Sequence, residues 1–67
     1  MKIKHIDRYG SYSGDYMFFV HYENGDMEQE TEQTLSKEML KFMNAENTQF
    51  QLRKSKKGEF YHRWLQN

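Results

Sequence analysis

The clearest hydrophobic pattern in the chain lies between Asp15 and Gln33, DYMFFVHYENGDMEQETEQ. An aromatic-rich run is followed by Asn24-Gly25 and an acidic return run. Asn and Gly tolerate the positive φ that both central positions of a type I′ turn require, so this stretch predicts a two-residue β-hairpin over 16–33. That turn pairs Tyr22 with Met27, His21 with Glu28, Val20 with Gln29, Phe19 with Glu30 and Phe18 with Thr31. Tyr16, Phe18, Val20, Tyr22 and Met27 then form a core face. Met17, Phe19 and His21 share the other face with Glu28, Glu30 and Glu32.

Upstream, Met1 to Tyr9 reads as a first strand, although Ile3 and Ile6 fall on opposite parities. It ends at Gly10, and Gly10-Ser11-Tyr12-Ser13-Gly14 is a flexible connection with Tyr12 at its centre, available as a binding element or a plain strand link. Downstream, one helix is expected over 36–45. Ser36 fits an N-cap, Glu38 sits where the helix dipole favours an acid, and Leu35 with Leu40 can form a hydrophobic staple. Met39, Phe42 and Met43 make the apolar stripe, and Asn44 or Asn47 can take a left-handed cap. A second hairpin follows over 48–65. With Gly58 left-handed in a three-residue loop, it pairs Phe50 with Trp64, Gln51 with Arg63, Leu52 with His62 and Arg53 with Tyr61. The predicted fold is a small single α+β domain, β-β-β-α-β-β, with an antiparallel sheet packed on one helix.

Composition narrows the class. A chain of 67 residues has room for one small core and buries only about 60% of the surface its unfolded form exposes. There is no Cys, so no disulfide or thiolate metal site supplements that core. No apolar run approaches the roughly 20 residues of a membrane span, and no signal-peptide pattern follows Met1, so the expectation is a cytoplasmic protein with no membrane partner.

The net charge of zero hides a segregation. Lys2, Lys4 and Arg8 precede an acidic middle of Asp15, Glu23, Asp26, Glu28, Glu30 and Glu32, and Arg53, Lys54, Lys56, Lys57 and Arg63 follow it. Two candidate surfaces result. The first is the acidic face with Met17, Phe19, His21, Glu28, Glu30 and Glu32, where large apolar side chains amid charges suggest a partner-binding patch for a basic surface of a larger protein. Metal binding there is not expected, because a straight strand spaces its carboxylates ~7 Å apart and does not converge them. The second is the basic hairpin, with Arg53, Lys54, Lys56, Lys57, Tyr61 and Arg63, which combines phosphate-neutralising cations with an aromatic able to stack on a base. A homodimer joined through exposed sheet edges is a third reading.

Catalysis finds less support. His5, His21 and His62 are the only histidines, and there is no Gly-rich phosphate loop, HExxH or paired-acid motif. His21 opposite Glu28 would be an oriented base, and His62 beside Arg63 and Tyr61 resembles a small ribonuclease site. A cross-strand His/Glu pair is more often a surface ion pair. No catalytic residue, metal or cofactor is assigned, and the expectation is a non-enzymatic protein.

Two resemblances add to this. Tyr16, Val20, Tyr22, Glu23, Gly25, Asp26, Glu28 and Leu35 look like the second and third strands of Tudor-like and chromo-like small barrels, with a helix following as in chromodomains. The likeness covers under a third of the chain. It implies an aromatic cage for methylated lysine or arginine, but no positions here match a cage motif and an extra basic hairpin follows the helix. As a short frame built around a charged, aromatic surface, the chain also resembles in kind the accessory inhibitor proteins of phages and mobile elements. That likeness implies an inhibitor seated on a host or defence protein.

Overall fold

The computed structural model describes residues 2–10 and 13–66. Ser11 and Tyr12, the centre of the expected Gly/Ser binding loop, lie outside the described residues. The fold is α+β, with β1 Ile3–Gly10, β2 Tyr16–Tyr22, β3 Met27–Glu30, α1 Lys37–Met43, β4 Thr48–Lys54 and β5 Phe60–Gln66. All five strands join one antiparallel sheet in the order β3-β2-β1-β5-β4. The sheet is therefore open, with β3 and β4 as its outer strands, rather than a small closed barrel.

The parity conflict in β1 is resolved by a bulge. Ile3 opposes Tyr22 while His5 opposes His21, which leaves Lys4 as the extra residue. One extra residue restores Ile3 and Ile6 to the same face. Ile6 and Val20 are fully buried there, with Phe18, Tyr22, Met39 and Phe42 around them and Ile3, Leu35, Met43 and Trp64 at the margin. Helix α1 supplies Met39 and Phe42 to this core. Its start is as expected: Ser36 caps it, its Oγ accepting from the Met39 amide. Its end differs, because Asn44 has φ −97°. The left-handed cap is replaced by the Asn44 side-chain amide, which donates to the Leu40 carbonyl at 2.9 Å.

The first hairpin has a different register from the one predicted. Val20 faces Glu28, Phe18 faces Glu30 and His21 faces Met27. The Tyr22 amide donates to the Asp26 carbonyl and the Gly25 amide to the Tyr22 carbonyl, so three residues, not two, make the turn. Only Gly25 takes positive φ, at +94°. Asn24 instead uses its side chain, whose Oδ1 accepts from the Asp26 amide at 3.0 Å. A slip of one residue moves every side chain of the return strand to the other face. Glu28 and Glu30 therefore lie on the helix side with Phe18 and Val20, and Met27 leaves the core for the opposite side, 54% exposed. Glu32 is not on a strand at all, since β3 ends at Glu30 and a Thr31–Thr34 turn follows.

The second hairpin has the predicted register, Phe50 to Trp64, Gln51 to Arg63, Leu52 to His62 and Arg53 to Tyr61. Gly58 has φ +87°, and the Ser55 amide donates to the Glu59 carbonyl across the loop.

Candidate functional site

The sheet has two unlike sides. The side without the helix carries His5, Asp7 and Tyr9 from β1, and Met17, Phe19 and His21 from β2. It also carries Met27 from β3, and Tyr61 and Arg63 from β5. At its centre Asp7 is only 4% exposed. A buried carboxylate needs a partner, and Arg63 provides a two-pronged one: Nε donates to Oδ1 at 2.7 Å and an Nη to Oδ2 at 3.0 Å. The same contact raises the Arg63 pKa above its ordinary value, so the guanidinium stays charged.

Two imidazoles flank the pair. His5 Nε2 lies 3.6 Å and His21 Nε2 3.7 Å from Asp7 Oδ2, beyond ordinary hydrogen-bonding range. Their rings, on directly opposed cross-strand residues, lie 4.4 Å apart and tilted by 32°. His5 Nε2 is buried and has no hydrogen-bond partner. Burial lowers the His5 pKa from 6.5 to about 4; Asp7 opposes the shift, while Arg63, His21 and Lys4 push the same way.

Beside this cluster Tyr9 and Tyr61 stack at 4.7 Å and Phe19 meets Tyr9 edge-on at 5.5 Å. Burial and the neighbouring Tyr61 raise the Tyr9 pKa. A cavity of about 740 Å³ opens here, lined by Asp7, His21 and Arg63, by Met17 and Phe19, and by Lys56, Lys57 and Glu59 from the β4–β5 connection.

The helix side is different. Helix α1 covers the β1–β2 half, while the outer hairpin extends past it. Phe50, Leu52 and Phe60 share that side and are 52%, 64% and 65% exposed. The strip is bordered by His62, stacked on Phe50 at 4.6 Å, and by Arg8, whose guanidinium sits 4.2 Å from the Tyr16 ring centre and 5.5 Å from those of Phe50 and Trp64. Lys54 lies over Phe60.

No family model, curated protein or solved structure matches the chain. Its function therefore has to be read from these two surfaces.

The predicted acidic set does not lie on one face. Met17, Phe19 and His21 are together, but on the open side. Glu28 and Glu30 are on the helix side, where with Glu38 they raise the pKa of Tyr22 after burial has begun the shift. Glu32 lies in the turn. Of the basic set, Tyr61, Arg63 and Arg53 share the open side and Lys56 and Lys57 reach its rim, whereas Lys54 is on the helix side. Three of the six residues of the first set and four of the six of the second thus meet around one cavity. His21 faces Met27, not Glu28, and His62 lies on the opposite side of the sheet from Tyr61 and Arg63, so neither predicted base has its predicted neighbours.

Proposed function

We propose that this protein is a non-enzymatic binding module that docks on a partner protein through the outer hairpin. The observation that carries the reading is the strip Phe50, Leu52 and Phe60, three large apolar side chains more than half exposed on one face. Contiguous apolar surface of this kind marks interaction sites. The strip adjoins the free edge of β4, a seven-residue outer strand. An exposed edge with an apolar face is a template for strand addition, in which main-chain bonds supply affinity and alternate side chains supply specificity.

The occupant that fits is an extended segment of a larger protein. Its alternate apolar residues would lie over Phe50 and Leu52, and its acidic residues would lie toward Lys54, Lys56 and Lys57. This inverts the charge relation expected from the sequence, in which an acidic row entered a basic groove. In an inhibitor of the phage accessory kind, such docking would obstruct the partner's working surface.

Leu52→Asp combined with Phe60→Ser changes only exposed positions, so the fold should persist while affinity for the captured partner falls at least about 100-fold. Amide exchange in the wild-type complex should show new protection along β4. Undiminished binding by the double variant overturns the reading. A concentration-dependent mass increase of the chain alone, abolished by the same substitutions, would make the occupant a second copy.

A second reading has its own observation, the Tyr9, Phe19 and Tyr61 cluster that lines one cavity with Lys56 and Lys57. With Glu28 and Glu30 on the other side, this surface suits single-stranded nucleic acid. Log K for an oligonucleotide should then fall by about 0.7 per phosphate contacted for each tenfold rise in salt, and Tyr61→Ala should remove ~1–3 kcal/mol. No measurable binding at low salt rejects it.

A further inference from the structure

We propose that His5, Asp7 and His21 form a binding site for a divalent transition-metal ion of the zinc type, with an open coordination position facing the cavity. Each of the three residues offers a donor atom, and these atoms lie within 4.8 Å of one another; His5 Nε2 and His21 Nε2 are 3.6 and 3.7 Å from Asp7 Oδ2. A point between them is within a few tenths of an ångström of the bond lengths such an ion takes to imidazole and carboxylate, about 2.0 to 2.2 Å. Two nitrogens and one oxygen are a donor set that borderline ions favour over magnesium or calcium.

The packing argues that these groups are not a completed hydrogen-bond network. At 3.6 and 3.7 Å both imidazole nitrogens stand too far from Oδ2 to bond it. His5 is 9% exposed, and its Nε2, turned toward the carboxylate, has no partner. An orphaned buried nitrogen is costly. A cation at the common point would satisfy it and would draw all three donors inward together.

The chain builds the site in two steps. The bulge at Lys4 brings His5 directly opposite His21, and Asp7, two residues on, projects from the same face. Arg63 then clamps Asp7 through Oδ1 and Oδ2, orienting the carboxylate as ligating carboxylates are oriented by their own hydrogen bonds. Asp7 and His21 also line the cavity together with Met17 and Met27, so a fourth ligand, water or an anionic group of an occupant, has a route to the ion. The site is on the opposite side of the sheet from the apolar strip, and either proposal can fail without the other.

The test is titration of the chelator-treated full chain with Zn²⁺ by calorimetry and with Co²⁺ by visible absorption. One equivalent should bind, with d–d bands of a four- or five-coordinate cobalt ion and shifted ring signals for His5 and His21. His21→Gln alters a partly exposed side chain and should leave the fold intact while weakening binding at least about tenfold; His5→Gln should do the same, and His62→Gln should change nothing. Absence of saturable binding by the folded wild-type chain overturns the proposal. So does binding that survives His21→Gln but is lost in His62→Gln, since the ion would then sit on the other side of the sheet.

Discussion

Asp7→Asn is expected to remove about 3 kcal/mol of folding stability, at the low end of what breaking one side of a buried ion pair costs. Asp7 is almost wholly buried, and its two oxygens receive Arg63 through Nε and Nη. The amide keeps the shape but removes the charge and turns one acceptor into a donor aimed at a guanidinium. Arg63 is left cationic in the middle of the sheet, with its side chain about one-fifth exposed. That partial exposure lets water reach it, which is why the low end applies. A domain of this length holds only about 3 to 10 kcal/mol in total, so the variant should be close to unfolding.

In urea, with m near 1 kcal/mol/M for so small a chain, the midpoint should drop by about 3 M. The double variant Asp7→Leu with Arg63→Met leaves no orphaned charge and should recover most of the loss. A loss under about 1 kcal/mol for Asp7→Asn, or a double variant no better than the single, would show that the pair does not stabilise the sheet in this way.

The same residues show where sequence reading succeeds and where it stops. The second hairpin was legible because Gly58 admits a three-residue loop whose register also gathers Phe50, Leu52, His62 and Trp64 on one side. In the first hairpin the same kind of loop was hidden. Asn24-Gly25 suits a two-residue turn by composition, but Asn24 can instead brace the chain through its side chain while Gly25 alone goes left-handed. Propensity does not distinguish the two arrangements, and β2 offers no arbitration. Phe18 and Val20 are apolar on one side and Met17 and Phe19 on the other, so a one-residue slip is not punished by the pattern.

The helix start was legible because capping is local. The central cluster was not, because its members are far apart along the chain. His5, Asp7, His21 and Arg63 meet only through the β1 bulge and the pairing of β1 with β5, and each by itself is an ordinary strand residue. The apolar strip was missed for another reason. Alternation identifies which residues share a side, not how far a seven-residue helix reaches across it. The helix covers Ile6, Phe18 and Val20 and leaves Phe50, Leu52 and Phe60 of the outer hairpin exposed.

Acidification tests the central cluster through His5 rather than through the Asp7–Arg63 pair. His5 titrates at 6.5 in an unfolded chain and at about 4 in the folded one, so the folded state disfavours its proton. Above pH 6.5 the imidazole is neutral in both states and contributes no slope. Below it the unfolded chain takes up a proton that the folded chain refuses, and stability falls until about pH 4, where both are charged. The full loss is on the order of 3 kcal/mol. Its cause is chiefly burial against β2, reinforced by the positive charge of Arg63 from β5, by His21 across the strand pair and by Lys4, and opposed by the Asp7 carboxylate. Urea midpoints of the chelator-treated chain should therefore be level near neutrality and decline steeply between about pH 6.5 and 4. His5→Gln cannot take up the proton, and its profile should lose most of that decline. Parallel profiles for the two chains would show that some other group drives the acid response and that His5 is not held neutral by the fold.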